Sequence, residues 1–259
     1  MASRIRRSVT AIALASLCAV PSVSGVVSTS AAAPARVAPA SQGAVQLAGT
    51  FSSEMASATA LPYRLLASYQ GSVARWNPCQ TVRWAFNATM APPGGITVVR
   101  AALAHLTALT GIRFQYVGMT REPLSSRYLS TSHWGAYRPL LIGWATARTS
   151  DLLAGTGPWH VGETRMSWVG LTTSSGPKAE LATGVVVFNR DSHAHTWGPG
   201  SRYTYALHEL GHAVGLGHAT APGNVMDAVI PASARDYASG DRRGLQLVSA
   251  RNGCLPNLR

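Results

Sequence analysis

Charge is scarce in this chain. Only 12% of its 259 residues are Asp, Glu, Lys or Arg, and a single lysine, Lys178, stands among the 22 basic positions. Acidic residues number 10, which leaves a formal net charge of +12. No basic run lies beside stacking aromatics, so the familiar nucleic-acid modules are excluded and no nucleic-acid partner is expected. The dispersed arginines fit a soluble surface with, at most, loose attraction to an anionic cell envelope. Long apolar runs are missing too. The N-terminal apolar stretch, Ser8 to Val20, ends at Pro21 and covers 13 residues, short of the roughly 20 that span a bilayer as a helix. No stable membrane anchor is expected. No internal repeat is visible, and the 25 Gly and 15 Pro follow no collagen-like period. A hydrophobic content of 46% excludes a wholly disordered chain. The length allows one main domain and a tail.

What is present begins with a transport pattern. Arg4, Arg6 and Arg7 precede the apolar stretch, and small residues follow Pro21 through Ala33. Residues 1–33 therefore read as a signal peptide, cut after Gly25 or after Ala33, and the protein as secreted and extracellular. Cysteine is almost absent, with three in all. Cys18 lies in the signal, leaving Cys79 and Cys254. A pair in an exported protein usually bonds, with two buried free thiols as the alternative. Residues 34–71, rich in Ala, Ser, Pro and Gly, read as a flexible linker or short pro-segment ahead of a folded region over 72–259.

Within that region the periodicity changes several times. Val82, Trp84 and Phe86 alternate as one face of a strand, and Val99, Leu103, Leu106 and Thr110 recur at helical spacing up to a stop at Gly111. Ile112 to Tyr116, Leu140 to Ala145, Arg165 to Thr172 and Thr183 to Phe188 supply four more strands. A mixed α/β layer fold of about five strands is expected, with a first helix, a helix over the motif described next, and a C-terminal helix.

The decisive segment is His208-Glu209-Leu210-Gly211-His212-Ala213-Val214-Gly215-Leu216-Gly217-His218. On a helix His208 and His212 stand one turn apart, Cβ atoms about 5–6 Å from each other, so both imidazoles can meet one ion. Glu209, turned about 100°, lies beside that ion rather than on it. Leu207, Leu210 and Val214 form a separate stripe that anchors the helix in the core. A continuing helix would carry His218 about 9 Å along the axis, so the chain must turn. Gly215 and Gly217 permit it. Three neutral imidazoles would hold Zn²⁺ with one tetrahedral position open, as catalytic zinc sites do. Glu209 would take the proton of a water acidified by the metal. His160, in a loop beside Trp159, carries no signal of a role.

HExxHxxGxxH followed by a methionine resembles the metzincin zinc endopeptidases, most of all their matrixin-like secreted bacterial branch. The likeness covers roughly residues 76–259. It implies an α+β fold with a cleft between upper and lower halves, a polypeptide substrate, zinc on His208, His212 and His218, Glu209 as general base, and Met226 in the methionine turn beneath the ligands. By the same likeness the run containing Gly184, Val185, Val186 and Val187 resembles the strand that edges the cleft, where an extended peptide is held through its backbone; an ordinary buried strand is the alternative. Asp241 supports the methionine turn or simply caps its helix. No cysteine lies between Ala33 and Cys79, so the thiol latch of matrixin precursors cannot operate from residues 34–78. A secreted zinc module that binds peptide or envelope polymer without cleaving it is the alternative function.

Overall fold

The structure, a computed structural model, describes residues 23–32, 61–129, 138–194 and 199–256. Strands β1 (Val23–Ala32), β2 (Ser68–Tyr69), β3 (Ser72–Arg75) and β4 (Val82–Asn87) precede helix α1 (Gly95–Thr110). Strands β5 (Phe114–Thr120), β6 (Leu140–Ala145), β7 (His160–Thr173) and β8 (Gly176–Asn189) come next, then helices α2 (Pro199–Ala213) and α3 (Ser239–Val248). The sheet is mixed, in the order β1-β7-β8-β6-β4-β5, with β3 alongside β8 and β2 alongside β3. β5, β4, β6 and β8 are parallel to their neighbours, whereas β7 folds back on β8 as an antiparallel hairpin. The five expected strands are its centre; β1, β2 and β3 extend it. β1 is a surprise, because it falls in the part of the sequence read as a signal peptide. Residues 1–22 of that reading lie outside the described residues.

α1 forms as its periodicity requires. Val99, Leu103, Leu106 and Thr110 are all buried, and Gly111, at φ +73°, ends the helix by donating its N–H to Thr107 O. The helix shares one core with Trp84, Phe86, Trp144 and Phe188 of the sheet, with Leu207 and Leu210 of α2, and with Val214 just past its end. Leu207, Leu210 and Val214 are fully buried, as the stripe predicts.

The folded body begins earlier than residue 72. Gly217 N–H donates to Arg64 O at 2.9 Å and Leu66 N–H to Gly215 O at 2.8 Å, so residues 61–71 belong with the chain around the motif rather than with a linker. Leu65, Leu66, Ala67 and Tyr69 also pack against the core, but at neither helical nor strand spacing, and backbone pairing leaves no mark on side-chain pattern. At the other end Cys79 and Cys254 form the disulfide, Cα atoms 5.4 Å apart across 175 residues. Asn77 reinforces it, donating to Leu255 O at 2.9 Å and accepting from Leu255 N–H at 3.2 Å. Replacing both cysteines by serine is expected to cost about 2–5 kcal/mol, read as a lowered urea midpoint under non-reducing conditions; an unchanged midpoint would contradict the tie. None of the described helices is long and apolar enough to cross a membrane.

Candidate metal centre

α2 ends at Ala213, whose carbonyl accepts from the Trp76 indole N–H at 2.8 Å. The chain then reverses at Gly215, φ +113°, a conformation that a residue with a Cβ rarely takes. Gly217 differs from the expectation: its φ is not in the left-handed region, and its missing side chain serves close approach, since a Cβ there would meet Leu65 O at 3.2 Å. The reversal brings His218 back to the helix. Ring centroids stand 4.7 Å apart for His208 and His212, 4.9 Å for His212 and His218, and 5.4 Å for His208 and His218. One nitrogen from each lies within 4.8 Å of the other two.

Hydrogen bonding fixes which nitrogens face inward. His208 Nδ1 lies 2.6 Å from Val225 O and His212 Nδ1 2.8 Å from Leu216 O. A carbonyl only accepts, so each Nδ1 carries the proton and each Nε2 is a bare lone pair. Those two Nε2 atoms are 3.0 Å apart. With no proton between them this is not a hydrogen bond but two donors of electron density aimed at one point, the arrangement a shared cation relieves. Burial also holds both imidazoles neutral, His208 down to about 3 and His212 well below its usual value. The residues present therefore fit a divalent cation, with outer partners that orient two of the ligands.

Glu209 is fully buried beside them. Thr164 Oγ1, on β7, lies 2.8 Å from its Oε2 and 3.0 Å from its backbone oxygen. Glu209 Oε1 has no hydrogen-bond partner among the described residues. Burial pushes the carboxyl well above its ordinary range, Thr164 pulling it partly back and the neighbouring Glu163 pushing the same way as burial. Gly162 makes the room: a Cβ there would stand 2.9 Å from Glu209 Cδ and 2.8 Å from Val187 O.

The segment after His218 supports the ligands from below. Met226 is buried, with its sulfur against Gly211, where a Cβ would overlap it. Asp241 Oδ2 accepts from Val225 N–H at 2.8 Å and Ala238 N–H at 3.0 Å, and Oδ1 from Met226 N–H at 3.3 Å. Both readings of Asp241 hold at once, for it braces the Met226 turn and caps α3.

The chain matches no family model and no curated protein. The site therefore rests on its own geometry, and two corrections follow from that geometry. Gly184, Val185, Val186 and Val187 do not form an edge. Val185, Val186 and Val187 pair with Leu141, Ile142 and Gly143 of β6 on one side, and all four pair with Glu163 to Met166 of β7 on the other, so the run lies inside the sheet. β7 is the strand that passes the carboxylate. His160 is not a bystander either. It opens β7, buried, with its Nε2 3.8 Å from Glu163 Oε2.

That contact is not an ion pair at neutral pH, because burial lowers the His160 pKa to about 4. Unfolded, the ring protonates near pH 6.5, so the folded state binds fewer protons between pH 6.5 and about 4. Its stabilising contribution is present above pH 6.5 and is lost as the pH falls. Metal-free chain is expected to lose about 2–3 kcal/mol between pH 7 and pH 4.5 from this residue alone. Urea midpoints at the two values, compared with those of His160→Asn, measure it; identical slopes for the two chains would remove the assignment.

Proposed function

We propose that the chain is a secreted zinc-dependent endopeptidase. The observation that carries this reading is the convergence of three imidazoles, two with their lone pairs set by backbone carbonyls, next to a buried carboxylate that Thr164 grips by one oxygen only. Zn²⁺ is the metal that suits three nitrogen ligands with an open position. When bound, it supplies Lewis acidity, polarising a carbonyl and acidifying water. The chain's own residues do the rest. Glu209 Oε1 receives the proton of the attacking water and later delivers it to the leaving amine nitrogen. Thr164 holds Oε2, so the carboxylate keeps one orientation through both transfers. Asp241 holds the Val225–Met226 backbone, and Val225 O in turn orients the His208 ring. The outer edge of β7, which carries Gly162 and Thr164 past Glu209, is the backbone to which an extended polypeptide would add.

The test is cleavage of denatured casein and a peptide library by the chain trimmed after Ala33, with and without a chelator. Cleavage that chelation stops and Zn²⁺ restores is the expected result. Saturable peptide binding with no cleavage at any metal loading would replace this reading by the non-catalytic module.

A further inference from the structure

The outer edge of β7 already has an occupant. β1 lies antiparallel along it from Val23 opposite Gly170 to Ala32 opposite His160, with one irregularity between Ala31 and Ala32. Ala31 stands opposite Gly162 and Thr29 opposite Thr164, the two β7 residues that touch Glu209. β1 also approaches α2. A strand has two edges, and β8 uses the other one of β7. While β1 is paired, no second extended chain can add there.

The sequence of this segment suits the place. Val-Ser-Gly-Val-Val-Ser-Thr-Ser-Ala-Ala is uncharged, free of proline and rich in β-branched residues, which favours strand pairing without committing to a side-chain pocket. It joins the body through residues 33–60 of the same chain. Pairing within one chain is intramolecular, and its effective concentration can be on the order of millimolar, well above that of a polypeptide substrate at micromolar levels. No thiol is available in residues 34–78 to silence the metal, so any latency has another basis.

We infer that residues 23–32 are an intramolecular occupant of the substrate edge, and that the protein is held closed until the chain is trimmed beyond residue 32. The consequence for catalysis rests on the peptidase reading above; the strand pairing does not. Two cleavage positions then have opposite outcomes. A cut after Gly25 leaves residues 26–32 on the edge and keeps the protein latent. A cut after Ala33 clears β7 and opens it.

The experiment uses the full chain and the double variant Val26→Pro with Val27→Pro. Proline donates no hydrogen bond, and adjacent residues of a strand point their N–H groups to opposite edges, so one of the two substitutions must strike the β7 side. Hydrogen exchange is followed over residues 160–170, and hydrolysis of a quenched peptide is measured on both chains. In the unmodified chain the β7 amides not bonded to β8 are expected to be protected, and in the variant exposed. Turnover should rise about tenfold or more in the variant, consistent with release from a millimolar tether. A synthetic peptide of residues 23–32 should bind the variant and suppress that gain. Rapid exchange of those amides in the unmodified chain overturns the inference, and so does equal turnover in two active chains. If neither chain hydrolyses peptide, the peptidase reading fails, and the exchange result alone then decides whether β1 covers the edge.

Discussion

Glu209→Gln lowers peptide turnover about 10²–10⁴-fold, the range of a lost general acid–base group, while the bound metal stays at one equivalent. The substitution keeps the shape of the side chain, and Thr164 can still donate to the amide oxygen, so the tight fit against Gly162 is preserved. What disappears is an oxygen able to take a proton. Glu209 is not placed as a ligand: the converging nitrogens belong to His208, His212 and His218. Metal content and kcat measured on one sample separate the two roles. Undiminished hydrolysis by a metal-loaded Gln variant would refute the role given to this carboxylate.

His212→Ala acts on the metal instead. His212 stands between the other two ligands and is the one whose Nε2 meets that of His208 at 3.0 Å. Loss of an outer partner of a metal ligand costs about 10–100-fold in affinity, so removal of the ligand itself should exceed about 100-fold. Because metal binds the folded state, its stabilisation grows with the ratio of free metal to Kd. Adding Zn²⁺ should raise the thermal midpoint of the unmodified chain and leave that of the variant where it is at the same metal concentration. An equal rise in both would place the metal elsewhere.

The site was legible in the sequence wherever it is local. His208, Glu209 and His212 lie within five residues of one helix, so their spacing alone fixes their relative directions, and Gly215 announces the reversal that returns His218. Gly211 sits at a position the motif leaves free, and its role as the gap beneath Met226 only exists once the two segments are packed. Thr164 and Gly162 left no signal for the same reason. They reach Glu209 from another element, 45 residues away for Thr164, through the register of a sheet.

Strand pairing is where reading the sequence went astray. Residues 165–172 and 183–188 are both strand-like, and nothing in their composition says which one lies outside. The hairpin settles it by placing β8 against β6 and leaving β7 outermost of the two. Residues 61–71 were hidden because backbone contacts to residues 215–220 hold the stretch and its core-packing residues, Leu65, Leu66, Ala67 and Tyr69, follow neither helical nor strand spacing. The core helix α1, by contrast, was readable to its last residue, since Val99, Leu103, Leu106 and Thr110 mark the buried face and Gly111 the stop.

X-ray absorption at the zinc edge of the purified, metal-loaded chain addresses the central claim most directly. Three imidazole nitrogens at about 2.0–2.1 Å, with one further light-atom ligand exchangeable with solvent, are the expected first coordination sphere. A sphere with fewer than three imidazoles, or one closed by a fourth protein side chain, would contradict the account.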